Sequence, residues 1–161
     1  MNPPSPFALL LSLIVFAAAH GNAIAEDAAP ARALTAETTL ATARAVLQEV
    51  IQEEGLLAGQ IARVGDMLAR TGPSLGKTRN VFAEAEVVQF CSARDAWQMT
   101  EENPDQIAYC PLAISLYTLA DSPGTVHIVY RFPGTDSPAR AHVAALLNRI
   151  AATVQQRLKH P

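Results

Sequence analysis

Residues 112–132 read LAISLYTLADSPGTVHIVYRF, and this stretch decides the fold. In its second half Val126, Ile128, Tyr130 and Phe132 alternate with Thr125, His127 and Arg131. A period of two turns one face of a strand toward a core and the other toward water. Leu112 to Leu119 forms a second apolar run, separated from the first by Ala120-Asp121-Ser122-Pro123-Gly124. Pro-Gly at the centre of a connection predicts a type II turn, so the two runs predict a β-hairpin.

Outward from the hairpin, helical signals take over. Ser137 followed by Pro138 predicts an N-cap and first helical position. Val143, Leu146, Leu147, Ile150 and Val154 then recur at helical spacing, with Arg157, Lys159 and His160 where they favour a helix C-terminus. Near the other end, Thr35 predicts the cap of a helix from Ala36 to Glu54, with Leu40, Ala43, Leu47, Val50 and Ile51 as its apolar stripe and Gly55 as its stop. Leu56 to Val64 predicts a short strand, with a continued helix as the competitor, and Gly65-Asp66 opens a helical turn over Met67 to Arg70. Thr71 to Gly76 is rich in turn formers. Val81 to Cys91 suits a strand, although Ala83 to Glu86 suits a helix equally. Ser92 predicts the cap of a helix through Trp97 to about Glu101, which Asn103-Pro104-Asp105 stops. Two amphipathic helices bracketing a small, largely antiparallel sheet predict an α+β two-layer domain.

The chain has 161 residues, and residues 1–25 carry no charged side chain. Phe7 to Ala19 has the length of a signal-peptide h-region and is short for a membrane span. Ala23-Ile24-Ala25 supplies the small-x-small pattern read by signal peptidase. The expectation is cleavage near Ala25: a signal peptide at 1–25, a flexible leader at 26–34, and one α+β domain at 35–160. The mature protein is then periplasmic or secreted, with no membrane span after cleavage. A formal net charge of −3 without a lysine or arginine cluster argues against nucleic acid.

Several segments together resemble one family. Gly65-Asp66-Met67-Leu68-Ala69-Arg70-Thr71, Phe90-Cys91-Ser92-Ala93, the run from Asn103-Pro104-Asp105 to Tyr109-Cys110-Pro111, and the hairpin with Pro123-Gly124 and Tyr130-Arg131 resemble the bacterial domain of unknown function 302, over about residues 40 to 135. The resemblance implies a compact α+β fold and is compatible with a homo-oligomer. It implies no activity and transfers no catalytic residue.

Cys91 and Cys110 are the only cysteines. In an oxidising compartment they predict one disulfide, closing about 20 residues and worth roughly 3 kcal/mol. The alternative is a reactive thiol: Cys91 stands before a helix N-terminus, where a thiolate is favoured. A buried bond favours the structural role; two separated thiols, one of them exposed near positive charge, favour the reactive one. No Cys-x-x-Cys is present, and neither is zinc-ligand histidine spacing, so no metal and no cofactor is expected. A site of Cys91, Cys110 and His127 would require the fold to unite them. Trp97 and His127 are ligand-binding candidates, each with a plainer role: Trp97 packed on the sheet, His127 on a solvated strand face. Glu84 and Glu86 predict a solvated edge. Gly72 to Thr78 ends in Gly-Lys-Thr, but Thr71 stands where a phosphate-binding loop needs its first glycine. With no nucleophile motif, the sequence predicts a non-catalytic module of the cell envelope that binds a small ligand or an envelope protein. A periplasmic redox or sulfur-carrier protein using Cys91 and Cys110 is the alternative.

Overall fold

A computed structural model describes residues 31–160. The expected signal peptide and the first part of the expected leader lie outside the described residues. The order is β1 (Ala31–Glu37), α1 (Leu40–Glu53), β2 (Leu57–Ala62), α2 (Val64–Thr71), a 3-10 turn (Pro73–Leu75), β3 (Phe82–Cys91), α3 (Ala93–Glu102), a second 3-10 segment (Pro104–Tyr109), β4 (Leu112–Leu119), β5 (Ser122–Arg131) and α4 (Pro138–Lys159). The strands form one antiparallel sheet in the order β1-β5-β4-β3-β2. The α+β two-layer expectation holds, with α1 and α4 on one face of the sheet.

Alternation builds the core. Val126, Ile128 and Tyr130 on β5, Ile114 and Leu116 on β4, and Val88 and Phe90 on β3 are buried toward the helices. They meet Leu47, Val50 and Ile51 of α1 and Val143, Leu147, Ile150 and Val154 of α4. Burial of each such side chain contributes about 1.5–3 kcal/mol. Glu86 shares this inner face, 8 % exposed, and its carboxylate accepts from Nη1 of Arg44 on α1 at 2.9 and 3.0 Å. The expectation of a solvated pair therefore holds only for Glu84, which is exposed.

Three boundaries differ from the sequence reading. Residues 31–34, expected as leader, begin strand β1, and the helix starts later: Thr39, not Thr35, caps it, its hydroxyl accepting from the Thr42 N–H at 3.1 Å. Ala31–Glu37 pairs along its length with Thr125–Arg131, because β5 would otherwise be an open edge. The hairpin turn is Ala120-Asp121, with Leu119 opposite Ser122 after a register shift. Pro123 and Gly124 therefore lie in β5, beyond the end of β1, where proline's missing donor costs no ladder bond. Gly124 keeps a negative φ, which excludes the expected type II turn.

Other signals read as expected. Gly55, at φ +74°, closes α1: its N–H donates to the Gln52 carbonyl and that of Leu56 to the Ile51 carbonyl, the paired bonds of a Schellman stop. Within Val81 to Cys91 the strand runs over Phe82–Cys91, and within Leu56 to Val64 a short irregular edge strand covers Leu57–Ala62 before Val64 opens α2.

A candidate ligand cleft between α3 and α4

Ser92 caps α3, its hydroxyl accepting from the Asp95 N–H at 3.4 Å. That places Asp95 in the first turn, where the positive end of the helix dipole favours a carboxylate. Asp95 is nonetheless 3 % exposed, and its Oδ1 has no aligned hydrogen bond among the described residues. A buried carboxylate oxygen lacking a donor is unfavourable by about 1–3 kcal/mol.

The opposite wall comes from α4. His142, Leu146 and Arg149 recur at i, i+4 and i+7, which puts them on one helix side. His142 Nε2 lies 3.3 Å from Asp95 Oδ1, close but poorly aligned, with 56 % of the His142 side chain exposed. Arg149 forks onto Glu54 at the end of α1, Nε to Oε1 at 2.8 Å and Nη2 to Oε2 at 2.9 Å. That hydrogen-bonded fork holds the Glu54 carboxyl below its ordinary range and raises the Arg149 guanidinium. These walls enclose about 370 Å³. Arg94 and His142 also border a more open hollow of about 590 Å³ that reaches Glu101 and Pro138. Both volumes suit a small molecule. Arg94 makes no ion pair among the described residues. The cleft thus sets one buried acid, with only a poorly aligned His142 beside it, near one cation that makes no ion pair among the described residues.

The cysteines lie apart. Both are free thiols, Cys91 exposed and Cys110 half-buried, so the expected disulfide is not shown. Phe90 faces the helices, so alternation directs Cys91 to the open face of the sheet, whereas Cys110 packs against the core. Burial first, then the nearby Cys91 and Asp95, push the Cys110 thiol pKa up, away from the thiolate that redox chemistry uses. Among the described residues, no three His, Cys, Asp or Glu side chains gather to hold a metal ion, so Cys91, Cys110 and His127 are not united.

His127 is half-buried on the open sheet face, stacked on Tyr117 with centroids 4.5 Å apart, and Phe82 meets Tyr117 edge-on at 5.1 Å. Trp97 is 68 % exposed on α3, not packed on the sheet, and lines neither hollow. The fold therefore does not bring the two ligand candidates together. Sequence reasoning singled out neither Asp95 nor His142 as a site residue. The Ser92 cap located the Asp95 backbone; nothing local announces that α4 approaches it.

A family model described as domain of unknown function DUF302 matches residues 32–160. A solved structure titled "Crystal structure of uncharacterized conserved protein DUF302 from Bacillus stearothermophilus" is similar at a TM-score of 0.62 and 19 % identity, covering 82 % of this chain and 100 % of that one. This likeness speaks for the fold alone. No curated protein matches. With the family model spanning β1 to the end of α4, the chain belongs to the DUF302 family.

Proposed function

We propose that this protein is an exported, non-catalytic binding module of the cell envelope whose ligand seat is the cleft between α3 and α4. Export is supported by the uncharged Phe7–Ala19 run and the Ala23-Ile24-Ala25 pattern. The observation that carries the binding role is Asp95, buried in the cleft wall with an oxygen that no aligned hydrogen bond satisfies among the described residues. Among the described residues no hydroxyl or thiol hydrogen-bonds to His142, so Asp95 and His142 lack the nucleophile that would make them a catalytic pair.

The charge pattern favours a small zwitterion of the amino-acid class. Its ammonium group would satisfy Asp95 Oδ1, and its carboxylate would face Arg94. Thermal unfolding of the exported protein with glycine, alanine and glutamate tests this, with ethylamine and acetate as the separate halves. At least one amino acid should raise the melting temperature further than either half, and Asp95→Asn should abolish that response. No response to any of these compounds, with Asp95→Asn simply more stable than wild type, would leave Asp95 a structural residue and end the proposal. Fractionation of expressing cells tests export: cleaved protein should appear outside the cytoplasm.

A thiol role has one observation in its favour, the free and exposed Cys91. The raised Cys110 pKa weighs against a redox pair.

A further inference from the structure

Far from the α3–α4 cleft, α2 lies against β3 so closely that a Cβ on Gly65 would stand 2.7 Å from the Ala85 nitrogen. The helix, the 3-10 turn after it and the start of β3 enclose a cleft of about 260 Å³. Its walls include Leu68, Leu75, Val81 and Phe82, with Lys77 and Arg79 also lining it. Leu68, Leu75 and Val81 are 42 %, 70 % and 59 % exposed. They are three of the seven large exposed hydrophobics among the described residues, and clustering of that kind marks a binding surface.

The surrounding chain also sets the charge. Lys77 and Arg79 make no ion pair among the described residues. The loop's own N–H groups are turned inward: Leu75 and Lys77 donate to the Gly72 carbonyl and Gly76 to that of Pro73. An anion here is therefore met by side chains, and the Gly72–Thr78 segment is not a phosphate cradle.

We infer that this cleft is a binding site for a single-chain anionic amphiphile, with the acyl chain between α2 and β3 and the carboxylate on Lys77 and Arg79. The volume falls just under the roughly 300–1,000 Å³ of ordinary small-molecule pockets, which suits one short chain better than a ring system. Apolar walls supply affinity without direction, and the two cations fix which end stays at the mouth.

Calorimetric titration of the full exported chain with octanoate and decanoate tests the site, with 1-octanol as the uncharged partner. Each added methylene should tighten binding about fourfold, so decanoate should bind at least tenfold more tightly than octanoate. Ala69→Trp, at an exposed position of α2 in the cleft wall, should remove saturable binding. Lys77→Glu with Arg79→Glu should weaken octanoate about tenfold and leave octanol unchanged, which keeps the test open if the tryptophan variant fails to fold. Asp95→Asn should leave all of these values unaltered, separating this site from the α3–α4 cleft. Absence of saturable binding would overturn the inference. So would an undiminished affinity in the double variant. Sedimentation with phosphatidylglycerol vesicles, without a saturable response to decanoate, would replace the cleft with a membrane-facing surface.

Discussion

Cys110 shows how a single residue changes meaning between sequence and structure. In the sequence it pairs with Cys91 by elimination; in the fold it is a free, half-buried thiol packed against the core, with its neutral form favoured by burial and by the nearby Cys91 and Asp95. Two free thiols should therefore titrate in the native protein, one fast and one slow. Iodoacetamide at pH 8 should modify Cys91 first, and Cys91→Ser should remove the fast phase while Cys110→Ser removes the slow one. Finding no thiol until a reductant is added would mean that the two are bonded after all. The pH dependence has a definite sign. The folded pKa of Cys110 lies above its unfolded value, so its contribution is fully present below the ordinary thiol range, near 8.5, and is lost as pH rises through the folded value. Wild type should thus lose more stability than Cys110→Ser between pH 8 and 10. At this scale two caps were legible: Ser92 and Ser137 each accept a backbone N–H where the sequence placed them, whereas Thr39 and not Thr35 caps α1. Asp95 with His142 was not legible, because a contact between distant helices leaves no periodic trace in either.

Elements were readable where a single period ran uninterrupted, as in α4 and the apolar half of β5, and were misread where two signals competed. Ala31–Glu37 has the alanine-rich composition of a leader, and only its partner β5 makes it a strand. Pro123-Gly124 is the strongest local turn signal in the chain, yet the register of β4 against β5 absorbs it into a strand end. The attachment of α2 was invisible for a different reason. That helix has no fully buried residue, so its position depends on a close backbone approach that only glycine permits. Gly65→Ala is a test of sign. In the first turn of an unobstructed helix alanine gains up to about 1 kcal/mol over glycine. Here the added methyl would meet the Ala85 nitrogen at 2.7 Å, and the crowding should leave a net loss of about 1 kcal/mol. Urea unfolding reads it directly: a lower midpoint with unchanged slope is expected. A midpoint above wild type would show that α2 does not lie against β3 as described.

For the whole molecule, acid is the condition under which α4 should loosen from its neighbouring helices. Much of the polar fastening of α4 runs through carboxylates. Arg149 forks onto Glu54 and Arg157 onto Glu53, tying α4 to α1. Glu102 of α3 accepts from the Ala139 N–H at 2.8 Å at the start of α4. All three carboxyls are held below their usual range: Glu53 by its hydrogen bonds from Arg157, Glu54 by those from Arg149, and Glu102 by the Ser137 hydroxyl and then the Ala139 N–H. A carboxyl with a depressed folded pKa binds fewer protons folded than unfolded. Its contribution is present above the unfolded range, near 4.3, and is lost as pH falls through the folded value. None of the three is deeply buried, so each share is small and the Arg157 pair should also fade with salt. The urea midpoint should stay nearly level from pH 7 to 5 and fall below about pH 4.5. Glu102→Gln keeps an acceptor for Ala139 but has no proton to take up, so its fall with acid should be shallower than that of wild type. A midpoint that holds constant from pH 5 to 3, or a glutamine variant with the wild-type slope, would place the fastening of α4 entirely in Val143, Leu147, Ile150 and Val154. Those side chains fill the core from one face of α4 and respond to no proton.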